Sequence, residues 1–227
     1  MKRVITALLA ALLVLSLAAC GSGVETKKLA GTWTCTIDVT DRMNAAAEQA
    51  LGLSAADGTA QMPLQLVLTV TEDGAYTLRY DSDAVRTALD AYAAALHPAA
   101  VESVYAAAEE QGFSREEYDA AMEKAGITMD DMVAAIFAGV DEEELLSLLT
   151  GRSAAITGYC RAESGQLYLA DTAADLTETA DCLSYTLSDG TMTWTDAQGE
   201  LSSQLTEQEQ ELLRVPLTWT KRAEESK

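Results

Sequence analysis

Residues 31–40 read GTWTCTIDVT. Trp33, Cys35, Ile37 and Val39 fall on one face, and Thr32, Thr34, Thr36, Asp38 and Thr40 on the other. A period of two with β-branched residues is the pattern of a half-buried strand. The same pattern recurs along the chain. In PLQLVLTVTEDGAYTLRYD (63–81), Leu64, Leu66, Leu68 and Val70 share a face, and Tyr76, Leu78 and Tyr80 share one on the return. The intervening Asp-Gly predicts a hairpin. AAITGYCRAESGQLYLAD (154–171) predicts a hairpin around Ser164-Gly165, and CLSYTLSDGTMTWTD (182–196) one around Asp189-Gly190. VPLTWTKR (215–222) predicts a last strand with Val215, Leu217 and Trp219 on one face, and Pro216 marks its start or an edge.

Helical patterns interrupt this series. DRMNAAAEQALG (41–52) predicts a short helix capped by Asp41 and ended by Gly52. From about 82 to 150 the chain predicts five short amphipathic helices. The first stops at His97-Pro98, the second ends at Gly112, and the third runs from a Ser114–Glu117 capping box to Gly126. The fourth starts at Thr128 and the fifth at Asp141. Another capping box, Thr206 to Glu209, predicts a short helix before the last strand. Isolated helices of this length are marginal, so they must pack on something. The fold expected is α+β: an antiparallel meander β-barrel of about eight strands with a long α-helical insertion. Strands with one apolar face bury it best by curling into a barrel.

The N-terminus predicts an address. Met1-Lys2-Arg3 precedes the uncharged run VITALLAALLVLSLAA (4–19), short for a membrane-spanning helix. The motif Leu17-Ala18-Ala19-Cys20 resembles the bacterial lipobox. That resemblance implies a signal peptide over 1–19, cut before Cys20, and lipid attachment at Cys20. Two acyl chains anchor where one does not. Residues 20–28 then form a linker, 29–222 the barrel domain and 223–227 a tail.

The barrel strands carry a second resemblance. Gly31-Thr32-Trp33, preceded by KKLA, is similar to the lipocalin Gly-x-Trp signature. Leader, L-x-G-x-W, a DG-x-Y hairpin and acidic Ala-rich helices together resemble lipocalin-like domains of Gram-positive lipoproteins. The resemblance implies that Trp33 plugs one barrel end with Arg222 packed across it, and that a small apolar molecule or peptide occupies the interior. Trp33, Leu66, Tyr76, Leu78 and Trp194 are the candidate lining. The long helical insertion departs from the lipocalin pattern. The alternative is a filled barrel serving as an envelope or protein-interaction module, with the acidic helices as contact surface.

Composition narrows the remaining functions. The formal net charge is −21, from 36 acidic and 15 basic residues. Such a chain lacks the clustered Lys and Arg that nucleic acid demands. It also stands off anionic lipid apart from its anchor. The single histidine, His97, is read as a helix C-terminal residue favoured by the helix dipole. Glu116-Glu117, Asp130-Asp131 and Glu142–Glu144 lie in first helical turns, where capping explains them. No spacing suggests a metal site, and no cofactor or enzymatic activity is expected. Met129, Met132, Val133, Ile136 and Phe137 form an apolar stripe expected to dock on the barrel. With Cys20 lipidated, Cys35, Cys160 and Cys182 remain. Strand phase disfavours Cys35–Cys182 and leaves Cys160–Cys182 as the expected disulfide, if their Cα atoms come within about 7 Å.

Overall fold

The computed structural model describes residues 25–53, 60–137, 155–177, 180–198 and 215–223. Cys20, Glu142–Glu144, the fifth insertion helix and the helix expected from Thr206 lie outside the described residues. Eight strands close into an antiparallel barrel in the order β1-β2-β3-β4-β5-β6-β7-β8. They are β1 Gly31–Asp38, β2 Pro63–Val70, β3 Ala75–Tyr80, β4 Ile156–Glu163, β5 Gln166–Ala170, β6 Asp181–Ser188, β7 Thr191–Gln198 and β8 Leu217–Lys221. Closure comes from β1 pairing with β8, Trp33 opposite Lys221 and Thr34 opposite Thr220. A closed barrel leaves no sheet edge to cap.

The turns follow local chemistry. Ser164 and Gly165 (φ 53° and 77°) and Asp189 and Gly190 (46° and 77°) all take positive φ. Two such residues in succession make the hairpin turn whose twist matches the flanking strands. At the β2–β3 turn, Gly74 (φ 88°) lies so close to β4 that a Cβ would sit 2.4 Å from the Cys160 carbonyl oxygen. That approach lets the Gly74 carbonyl accept the Cys160 N–H at 2.7 Å.

The helices are α1 (Thr40–Leu51), α2 (Ser82–Glu110), α3 (Arg115–Ala125) and α4 (Met129–Phe137). The chain divides into two compact units. One holds the chain up to Cys35, Leu66–Tyr80 and the chain from Ala154 on; the other holds Thr36–Gln65 and Asp81–Ser153. The first is the barrel proper and the second carries the four helices.

Three expectations for the helical unit need correction. Helix α2 does not stop at His97-Pro98 but runs 29 residues with Pro98 inside it. Its buried residues Val85, Ala88, Tyr92, Leu96 and Ala100 continue at helical spacing past the proline, which faces solvent. A continuous apolar face outweighs the one backbone bond that proline removes. His97 is therefore mid-helix, its Nε2 lying 3.0 Å from Asp130 Oδ1. Asp41 is not the cap of α1; Val39 holds that position without a side-chain bond, and Asp41 sits in the first turn. Asp38 acts just upstream, its carboxylate accepting from the Thr40 N–H at 2.9 Å. Within this unit Val133 joins Leu53 and Ala100 in a buried cluster, with Val101 and Met129 against it. Gly52 (φ 65°) ends α1 in the left-handed conformation, as expected.

The Ser114–Glu117 capping box forms as read. Ser114 Oγ accepts from the Glu117 N–H while the Glu117 carboxylate accepts from the Ser114 N–H at 2.9 Å. Thr128 and Asp131 do the same at α4. These bonds hold both carboxyls below their ordinary range.

Candidate functional site

The interior of the barrel unit is built by alternation. On β1 it takes Trp33 and Cys35; on β2 Leu66, Leu68 and Val70; on β3 Tyr76 and Leu78, all buried. Strands β4–β8 add Ile156, Cys160, Leu167, Leu183, Tyr185, Met192, Trp194, Leu217 and Trp219, also buried. The five residues expected to line the interior, Trp33, Leu66, Tyr76, Leu78 and Trp194, thus all lie in this one core. The same core also takes Trp219, Tyr185, Leu217 and Ile156, which were not among the five. Their face was readable from the same alternation; their register neighbours were not. Leu78 pairs with Ile156, and Tyr185, Trp194 and Leu217 form one row across β6, β7 and β8.

Burial along these rows is uneven. Met192, Trp219, Leu183 and Ala162 are 0% exposed, whereas Leu78 and Ile156 keep 8% and 9%, and Tyr185, Trp194 and Leu217 keep 8%, 5% and 6%. Tyr76 lies over β4 at a glycine. A Cβ on Gly158 would stand 3.0 Å from the Tyr76 ring and 2.6 Å from the Ala170 carbonyl oxygen.

One barrel end is closed by the chain that precedes β1. Residues 25–29 form a helical turn. Thr26, a buried polar residue, accepts the Ala162 N–H on its hydroxyl at 3.0 Å. The Trp33 indole donates to the Leu29 carbonyl at 2.8 Å. Lys221 Nζ lies 5.3 Å from the Trp33 ring centroid, within cation–π reach. The β1–β8 register sets Lys221 directly opposite Trp33. Arg222 is exposed and its main-chain N–H donates to the Thr32 carbonyl at 2.8 Å.

The polar groups of the interior are few. Trp194 and Trp219 have ring centroids 4.8 Å apart, tilted at 47°. Both indole nitrogens are buried without a hydrogen-bond partner, as is Glu25 Oε2. Burial raises the Tyr185 phenol above its ordinary value, with smaller contributions from Glu25 and Cys160. Burial also pushes the Cys160 thiol up to about 12 and the Cys35 thiol to about 11, the latter offset in part by a backbone hydrogen bond to Thr218.

The expected Cys160–Cys182 disulfide is absent; Cys35, Cys160 and Cys182 are all thiols. Strand β5 lies between them: Cys160 is opposite Leu169, and Cys182 is opposite Tyr168. Two strand spacings put such positions about 10 Å apart, beyond disulfide reach.

Among the described residues, no group of three His, Cys, Asp or Glu side chains is placed to hold a metal ion. None of the described helices is long and apolar enough to cross a membrane. Compared with known protein families, curated proteins and solved structures, the chain finds no match.

Proposed function

We propose that this protein is an extracytoplasmic lipoprotein, anchored through Cys20, whose barrel takes up a small apolar molecule without transforming it. The observation that carries the binding reading is the uneven burial of the inner face. Two register rows, Leu78–Ile156 and Tyr185–Trp194–Leu217, retain 5–9% of their surface, whereas Ala162, Leu183, Met192 and Trp219 retain none. Sites for small molecules are concave, mostly apolar and furnished with a few placed polar groups. The lining has that composition, with Trp33, Leu29 and Lys221 gathered at one end. The anchoring reading rests on the lipobox resemblance at Leu17–Cys20.

The binding reading is tested by comparing native and denaturing masses of the protein recovered from membranes, with an organic extract of the same sample. A reproducible mass lost on denaturation supports it, and the extract gives the ligand class. Cys20→Ala tests the anchor: acylation and processing at residue 20 should both stop, and persistence of processed, membrane-bound protein would refute it.

The alternative, a filled barrel serving protein contact, is favoured by the 0% exposure of Ala162, Leu183, Met192 and Trp219 and by the exposed Phe113 and Ile127 of the helical unit. A clean protein mass in the native spectrum shifts the weight to it.

A further inference from the structure

We infer that the barrel's ligand carries a neutral hydrogen-bond acceptor, read by the indole N–H groups of Trp194 and Trp219. The inference rests on the reading of the barrel as a binding cavity.

The three tryptophans of the chain all belong to the barrel core, yet they are treated differently. Trp33 spends its N–H on the Leu29 carbonyl at 2.8 Å. Trp194 and Trp219 are 5% and 0% exposed, and neither N–H has a partner. An indole can only donate, so nothing on its own ring satisfies that hydrogen. A buried donor left unpaired costs folding free energy, and native interiors rarely leave one. Here two stand side by side. Trp194 on β7 pairs with Leu217 and Trp219 on β8 pairs with Met192, so the two indoles are diagonal neighbours on the interior face. Their β7–β8 register partners, Leu217 and Met192, are apolar, and Tyr185, opposite Trp194 on β6, does not bond its indole. Trp194 also sits in one of the rows that retain surface. A pair of donors in an otherwise apolar wall is what orients a molecule with one acceptor group, such as a ketone, ester or ether.

The neutrality follows from the charges nearby. Glu25 carries a buried carboxylate oxygen without a partner. A ligand carboxylate buried in this apolar wall would lack a pairing cation among the described residues, a cost that a neutral carbonyl does not meet. Lys221, the cation beside the core, lies over the Trp33 ring at the plugged end.

The test uses the full chain in lipid nanodiscs, with empty nanodiscs as blank and ¹⁵N-labelled tryptophan. The probes are 2-octanone and 2-methyl-1-octene, which differ only in C=O against C=CH2, and octanoate. Three tryptophans give three indole signals. The ketone should shift the Trp194 and Trp219 indole protons downfield, leave Trp33 nearly still and bind about tenfold more tightly than the alkene. Trp194→Phe and Trp219→Phe should each reduce that preference while keeping alkene binding. The wild-type indole shifts stand as a readout even if a variant folds poorly. Octanoate should bind more weakly than the ketone. Equal binding of ketone and alkene with unmoved indole protons overturns the acceptor subsite but leaves the apolar pocket standing. Tighter binding of octanoate overturns the neutrality. Binding of neither neutral probe overturns the subsite together with the pocket it rests on.

Discussion

The barrel and helix α3 of the helical unit are ordered by opposite means. In the barrel, residues far apart in sequence hold each other by register, and Trp33 opposite Lys221 is the extreme case. In the helical unit, α3 has no buried residue. Its order comes from its capping box, from Gly126 in the left-handed conformation, and from Arg115. The Arg115 guanidinium bonds Glu102 at 2.7 and 3.1 Å and Glu109 at 3.3 Å, and lies 4.6 Å from the Tyr105 ring centroid. All of these contacts are solvent-exposed, where ion pairs contribute little. Short-range chemistry can thus shape a surface helix, while only long-range register can assemble a buried aromatic interior.

Substitutions should separate the two regions sharply. Leu183→Ala removes a side chain that is 0% exposed and should cost about 2–5 kcal/mol of barrel stability, read by urea unfolding. A loss below about 1 kcal/mol would mean that the barrel collapses around the deletion, and that its packing is less specified than the register suggests. Gly158→Ala should cost about 1–3 kcal/mol through overpacking. Its Cβ would meet the Ala170 carbonyl, which cannot move without breaking the sheet, and the Tyr76 ring, which can turn. Pairing this change with Tyr76→Leu should recover part of the loss; no recovery would assign the whole cost to the backbone clash.

Alkaline pH should also act on the barrel first. The folded pKa values of Cys160 and Cys35 are raised above the ordinary thiol value of 9.0. Above pH 9 the unfolded thiols lose protons while the folded ones keep them, so stability falls as pH rises. Cys160 alone should contribute a slope of about 1.4 kcal/mol per pH unit until its folded value is reached. Unfolding midpoints from about pH 8 to 11, in wild type and Cys160→Ala, would show whether that slope belongs to this thiol. The smallest effect is expected at the helical unit. Ser114→Ala removes one half of a capping box and should cost about 1 kcal/mol. It should speed amide exchange in α3 and leave exchange in β4–β8 unchanged; faster exchange in the strands would show the two regions to be energetically coupled.

Much of this architecture is legible in the linear chain because its signals are local. Alternation marks Trp33, Cys35 and Ile37 as one face whatever they pair with. Ser164-Gly165 and Asp189-Gly190 demand positive φ, and Ser114–Glu117 closes a capping box within one turn. The errors fall where a distant partner decides. Pro98 ends a helix by its own chemistry, but the buried face from Val85 to Ala100 carries α2 through it. Phase disfavoured Cys35–Cys182 but carried no distance, and β5 sets Cys160 and Cys182 two strands apart. That Lys221 stands opposite Trp33 is likewise a matter of β1–β8 register.

The two-residue and helical periods, the turns and caps, and the apolar face of each strand are local features of the chain, and eight such faces already implied a barrel. The folded chain adds which strands pair in register, that two indoles stand together with their N–H groups unpaired, and that Cys160 and Cys182 lie two strands apart. Those outcomes depend on which strands become adjacent, a property of chain closure that no short window of residues contains.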